Sequence, residues 1–440
     1  MNSFVKIEAL YTESDRSVSS LRRIYKDHDL LLTKIASLFS NTLTEKEIAG
    51  KKVLLKPNWV RHSANDLDEL CMRTHNNFLL AVLDTILQLK PSSVLIGDAP
   101  IQGCHWDKVV NDNLSEQIDS LSTVHGIPVR IKDFRRVTFE PSKNNPLQER
   151  NPMSDYLLFD IGKESFLEDI TSNGKNKFRV TNYNPDRMTA AHRKGVHVYC
   201  ITRELFEADV VISIPKVKTH QKTGITAALK NIVGLNGDKD YLPHHRLGGT
   251  GLGGDCYPGK NYLRYWSELC LDFANRRQGK AAYWLGYKAS RVLWKLSLPG
   301  RKHHISAGWH GNDTTWRMVL DLNKIIIYGK RDGSLSREPQ RQLYSLSDGI
   351  IGGQGDGPLK PEPSALGIIA FTNNAGMNDL AMAIVMGFDP MMIPLLKSVY
   401  SESEINETRF FWNNKESSLT ELKGNAINIQ PPPGWNSYLK

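Results

Sequence analysis

Ala208-Asp-Val-Val-Ile-Ser-Ile-Pro-Lys-Val-Lys-Thr-His220 is an apolar run that ends in Lys216, Lys218 and His220. A short, nearly continuous β-branched segment suits a strand buried on both faces of a parallel sheet. Open α/β sheets bind ligands outside the carboxyl ends of their strands, so the polar residues after Pro215 mark a candidate site. Side chains on an extended chain repeat every second residue, which puts Lys216, Lys218 and His220 on one face. Three basic groups on one side repel, and an anionic ligand relieves that repulsion. The same crowding lowers a lysine pKa towards the range useful for proton transfer.

Working outward, Lys52-Val-Leu-Leu-Lys56 and Ser93-Val-Leu-Ile-Gly97 have the same character. Between them Phe78, Leu79, Val82, Leu83, Ile86 and Leu87 repeat at helical spacing. Strand, helix and strand in this order predict a βαβ unit with a right-handed crossover. A further core strand is expected at Ala365–Phe371. A small-residue helix should follow from Met377 to Met386, stopped by Gly387-Phe-Asp-Pro390. Residues 236–261 are glycine-rich without periodicity and read as a long loop or lid. From Leu263 to Lys330 the pattern is helical and aromatic, with Tyr283, Trp284, Tyr287, Trp294 and Trp309. The expected fold is therefore α/β, a mostly parallel sheet with flanking helices, interrupted by a helical, aromatic-rich insertion. Residues 1–235 would form the first part of the core, 236–261 the loop, 262–335 the insertion, and 336–440 the rest of the core with a C-terminal tail.

The composition is that of an ordinary globular protein, 40% hydrophobic and 23% charged over 440 residues. A net charge of +9 favours anionic partners. The five cysteines, Cys71, Cys104, Cys200, Cys256 and Cys270, show no C-x-x-C spacing, which argues against a disulfide framework, a zinc ribbon or an iron–sulfur cluster. A reducing, cytoplasmic setting is expected. The opening Met1–Leu10 lacks the basic start and apolar core of a signal peptide. No run approaches the roughly 18 apolar residues of a membrane span. No RNP, zinc-finger or helix-turn-helix pattern points to nucleic acid.

Several groups converge on the predicted sheet edge. Lys56-Pro57-Asn58-Trp59 closes the first apolar strand, with Lys56 able to hold a phosphate or carboxylate and Asn58 facing the same edge. Asp98 closes the next, where it would act as a base, hold a metal, or cap a helix near Trp106. A helix expected to start near Gly224 would offer its N-terminal amides to an anion and carry Lys230 and Asn231. Asp238, Asp240, His244, His245, Arg246 and Asp255 sit in the glycine-rich stretch; His244 and His245 could ligate a divalent metal, though not at a defined zinc spacing. Asp348-Gly-Ile-Ile-Gly-Gly-Gln-Gly-Asp-Gly-Pro358 is not a Walker loop. Its Gly352 and Gly353 allow close backbone approach to a ligand, and Asp348 and Asp356 supply carboxylates for a metal. The helix at Asn378-Asp379 adds another polar end. Lys280–Lys302 mixes Trp, Tyr and Leu with cations, as in a helix lying on a membrane surface or packed with its cations snorkelling. His303-His304 beside it lacks acidic or Cys partners.

Together, Val53-Leu-Leu-Lys-Pro-Asn-Trp59, Ile214-Pro-Lys-Val-Lys-Thr-His220, Thr226-Ala-Ala-Leu-Lys-Asn-Ile-Val-Gly234, Asp348-Gly-Ile-Ile-Gly-Gly353 and Ala381-Met-Ala-Ile-Val-Met-Gly-Phe-Asp-Pro390 resemble the domain of unknown function 362 family. Many of its members carry a ferredoxin segment, which the cysteine pattern here does not match. The resemblance marks Lys56, Asn58, Lys216, Lys218, His220, Lys230 and Asn231 without implying a reaction. The leading expectation is an enzyme acting on a small anionic metabolite by proton or group transfer. Lys56, Lys216 and Lys218 would hold the anion and His220 would be the acid or base. Asp98 or Asp348 would orient it or hold a divalent ion. A non-catalytic accessory protein at a membrane surface and a metal-dependent redox protein are the rival readings. The oligomeric state is open.

Overall fold

Aliphatic runs that bury both faces become neighbouring strands of one sheet. In the computed structural model, which describes residues 2–12, 15–139, 147–172, 177–297 and 307–439, Lys52–Pro57 (β2), Ser93–Asp98 (β3), Val129–Asp133 (β4) and Val210–Ile214 (β5) are parallel. Val210 lies opposite Val53 and Ile214 opposite Pro57, so β2 and β5 end side by side. The chain divides into two compact units. The first comprises residues 1–134, 204–234 and 338–440, and the second residues 135–203 and 235–337.

The first unit holds a twelve-stranded sheet. Its other strands are Phe4–Ala9 (β1), Lys216–His220 (β6), Gly224–Thr226 (β7), Gln342–Asp356 (β8), Lys360–Ser364 (β9), Ile368–Thr372 (β10), Arg409–Trp412 (β11) and Lys415–Ser417 (β12). The order is β12-β11-β1-β10-β8-β5-β2-β3-β4, with β6 and β9 paired to β8 and β7 to β6. The sheet is α/β and mostly parallel, as expected; β10 runs antiparallel to both β1 and β8. The stretch from Asp348 that reads as a glycine motif lies inside the fifteen-residue strand β8.

Helices cover this sheet. Among them are Val18–Ile24 (α1), His28–Phe39 (α2), Asp66–Cys71 (α3), Asn76–Gln88 (α4), Asp112–His125 (α5), Ala228–Asn231 (α6) and Ala375–Val385 (α7). The predicted crossover helix is α4. His75 caps it through Nδ1, which accepts from Asn77 N–H at 3.2 Å. Phe78, Leu79, Val82, Leu83 and Ile86 are buried in one core with Val53, Leu55 and Ile212, each such side chain contributing about 1.5–3 kcal/mol. The predicted small-residue helix is α7; Asn374 caps it, its Oδ1 accepting from Met377 N–H at 3.1 Å. The segment after Gly224 is a correction to the sequence reading: Gly224–Thr226 is strand, and α6 has only four residues.

In the second unit, Tyr156–Asp160 pairs antiparallel with Val196–Thr202. The helices Tyr262–Asn275 and Ala281–Leu296 pack closely because Gly286 has no side chain. A Cβ there would lie 2.8 Å from Phe273 Cδ1 and 2.9 Å from the Cys270 carbonyl. Ser267 Oγ donates to the Ser290 carbonyl at 2.8 Å across the same contact. In the helix Thr315–Tyr328, buried Asp321 accepts from Tyr199 Oη at 2.7 Å and Phe166 N–H at 2.7 Å. Residues 236–261 are not wholly irregular. His245–Arg246 pairs with Phe178–Arg179, and buried Asp255 accepts from Thr314 Oγ1 at 2.6 Å and Asp313 N–H at 3.0 Å. His303 and His304 lie outside the described residues. Among those described, no helix is long and apolar enough to cross a membrane.

Candidate functional site

Strand β6 is where the basic residues arrive, and a break in pairing sends them to different partners. Lys216 lies opposite Asp348 on β8 whereas Lys218 lies opposite Gly353, so the register shifts between them. Lys216 Nζ donates to Asp348 Oδ2 at 2.9 Å and to Tyr25 Oη at 2.8 Å. Tyr25 Oη in turn donates to Asp348 Oδ1 at 2.6 Å, and His75 N–H donates to Oδ2 at 3.1 Å. The Tyr25 and His75 rings stack at 3.9 Å. Burial pushes the Lys216 amine down, and the Asp348 carboxylate pulls it back up. Burial, then the Lys216 charge, lowers the His75 imidazole to about 3, so it is neutral.

A second buried ion pair forms at the ends of β2 and β3. Lys56 Nζ lies 2.7 Å from Asp98 Oδ1 and donates to the Pro57 carbonyl at 2.7 Å and to Asn231 Oδ1 at 3.2 Å. Asp98 also accepts from Trp59 N–H at 2.6 Å and Ala99 N–H at 2.8 Å. These bonds, rather than a cap on the short turn Trp106–Lys108, occupy its oxygens. Asn231 ties the strands together. Its Oδ1 accepts from Asn58 Nδ2 at 3.0 Å, and its Nδ2 donates to the Lys56 carbonyl at 3.1 Å and Ser213 Oγ at 2.9 Å.

Lys218 differs from the other two lysines. Its Nζ donates to Asn58 Oδ1 at 2.8 Å and to the Met72 carbonyl, both neutral oxygens. No carboxylate of the described residues forms an ion pair with it. Burial lowers its pKa from 10.5 to about 7, and the charges of Lys216 and Lys230 push the same way. Neutral acceptors offset the desolvation of a buried amine less than a carboxylate would, and Cys71 and Asp98 pull it only part of the way back towards its charged form.

The remaining predicted residues lie around this network or apart from it. His220 Nδ1 accepts from the amides of Lys222 at 3.1 Å and Thr223 at 3.3 Å, so it closes its own turn. Lys230 is half-buried on α6. Gly352 and Gly353 allow close approach by protein backbone: a Cβ on Gly353 would lie 2.7 Å from the Cys71 carbonyl, and one on Gly352 would lie 3.3 Å from that of Val217. Asp356 accepts from Gln221 Nε2. His244 and His245 belong to the second unit, where His244 Nδ1 lies 2.7 Å from the Leu242 carbonyl. Among the described residues no three His, Cys, Asp or Glu side chains gather as a metal group.

The expected anion site at a helix start is overturned. The first amides of α6, on Ala228 and Leu229, donate to Asp379 at 2.8 and 3.0 Å. Burial raises the Asp379 carboxyl to about 7. Sequence reading noted Asn378-Asp379 as a polar end but not this partner. It missed Tyr25 and His75, which carry no motif and come from helix ends far away in the chain.

A crystal structure of a Thermotoga maritima protein aligns over 77% of this chain and 56% of its own, with 9% identity and a TM-score of 0.33. That likeness is too low to inform the fold. A thylakoid-associated protein of Synechocystis sp. is 22% identical over 196 residues, 44% of this chain and 38% of that protein. The match therefore spans well under half of that relative's length. The family model described as "Domain of unknown function (DUF362)" matches residues 53–383, within which Lys56, Asn58, Asp98, Lys216, Lys218, Asn231 and Asp348 all fall, and the chain belongs to this family.

Proposed function

We propose that the protein is an enzyme that binds a small phosphorylated or carboxylated metabolite at the ends of β2, β5 and β6, with Lys218 as its proton-transfer group. The observation that carries this is Lys218 itself: a buried amine with neutral oxygen partners and a pKa of about 7. A proton-transfer group works best when its pKa lies near the working pH. Charge balance supports the anion. Lys56 and Lys216 are matched by Asp98 and Asp348, which leaves Lys218 as the one of these three lysines without a carboxylate in an ion pair with it. The two ion pairs then fix the frame, and an anionic group would favour the protonated form of Lys218. A ligand that reaches Lys218 Nζ has to displace the Met72 carbonyl from it. Asp98 and His220 stand one step out from the reacting centre, as positioning groups.

Thermal shift with a panel of phosphorylated and carboxylated metabolites, and with inorganic phosphate, tests this reading. Binding should strengthen several-fold as pH falls from 8 to 6, because a bound anion raises the Lys218 pKa and takes up a proton. Lys218→Met should abolish the shift and its pH dependence. Binding that persists unchanged in Lys218→Met would reject the assignment. Binding with no product from any ligand would favour the accessory-protein reading.

A further inference from the structure

The helix Ala281–Leu296 in the second unit presents a face that is exposed among the described residues. Trp284 is 47% exposed, Leu285 70%, Val292 56% and Leu296 61%. Lys288, Arg291 and Lys295 are exposed among them. At about 100° per residue these seven positions fall on one arc of the helix, about 140° wide. The arc is sorted. Arg291, Trp284, Lys295 and Lys288 take one edge, and Val292, Leu285 and Leu296 the other. The opposite side, with Tyr283, Gly286 and Ser290, is buried against the helix Tyr262–Asn275. That helix adds Tyr262, Leu263 and Trp266, exposed near its start. Not every aromatic in the stretch joins the face: Trp294 packs against the Arg264 guanidinium at 4.4 Å.

We infer that this helix is a docking face for an anionic lipid surface. An exposed aliphatic edge beside a cationic, tryptophan-bearing edge is the pattern of a helix lying in the membrane interface, apolar side chains towards the acyl region and cations towards the headgroups. The charge is one-sided. No Asp or Glu occurs between Asp272 and Asp313, while Lys280, Lys288, Arg291 and Lys295 all do. A second copy of the chain would set this stripe against its own like charges, which disfavours self-association through it.

The test is co-flotation of the full chain with vesicles of phosphatidylcholine alone and of phosphatidylcholine mixed with phosphatidylglycerol. Retention is expected on the anionic vesicles only and should weaken with salt. It should fall at least tenfold in Leu285→Ser/Val292→Ser and in Lys288→Glu/Arg291→Glu. All four positions are exposed, so unchanged circular dichroism and Tm should accompany both losses. Equal retention on neutral vesicles, no retention, or retention indifferent to both variants would each overturn the inference. So would a dimer in sedimentation equilibrium that either variant splits.

Discussion

Gly234 shows how little freedom the buried network has at the level of single residues. A Cβ on it would sit 1.7 Å from Asp98 Oδ1 and 2.8 Å from Lys56 Nζ. Gly234→Ala must therefore separate that ion pair inside the protein, where an uncompensated charge costs about 3–5 kcal/mol. A urea titration should show a midpoint lowered accordingly. The double variant Lys56→Met/Asp98→Leu should lose less than Lys56→Met alone, since removing both charges leaves none buried and unpaired. Equal losses for single and double variants would contradict this. The extended run through Lys216 and Lys218 was legible in sequence, but the register shift between them was not. Nor were their partners, because Tyr25, Asn58 and Asp348 reach them only through the tertiary fold. Nothing local distinguishes Lys218, with its neutral acceptors, from Lys216, with its carboxylate.

At the scale of elements, continuous aliphatic runs identified β2, β3, β5 and β10, and helical spacing identified α4. The glycines of β8 hid a strand, since they read as loop residues until neighbouring backbone is seen packed against them. The shortness of α6 was equally hidden, because Asp379 on α7 closes its start from another part of the chain. That contact gives a pH signature. Asp379 has its carboxyl raised from 3.8 to about 7, so the folded protein holds this proton more tightly than the unfolded chain. The stability this contributes is complete below about pH 4 and is lost as pH rises through 7. In Asp379→Asn the side chain stays neutral. It can accept from only one of the two α6 amides, at a cost of about 1–3 kcal/mol. The Tm difference, variant minus parent, should accordingly shift in the variant's favour between pH 4.5 and pH 8. A difference that stays flat across that range would show that Asp379 does not titrate there.

For the whole molecule, none of the five cysteines is joined in a disulfide; four of them are buried and Cys270 is partly exposed. Burial also raises the Cys71 thiol to about 11. Under native conditions a thiol reagent should modify Cys270 first and the other four slowly, with all five reacting in denaturant. Rapid native modification of Cys71 or Cys200, read by mass spectrometry, would contradict the burial. The sheet also has a consequence in time. Strand β1 is made long before its neighbours β10 and β11. Its Phe4 amide bonds to Asn373, 369 residues later, and Tyr25 waits for Asp348 across 323 residues. Contacts this distant in sequence form slowly because the loop must close before they are gained. During synthesis on the ribosome, strand β1 and the Lys216 network stay unfinished until β8 and β10 have been made. The emerging chain therefore carries an unpaired apolar edge until β10 follows, the kind of exposed segment that chaperones protect.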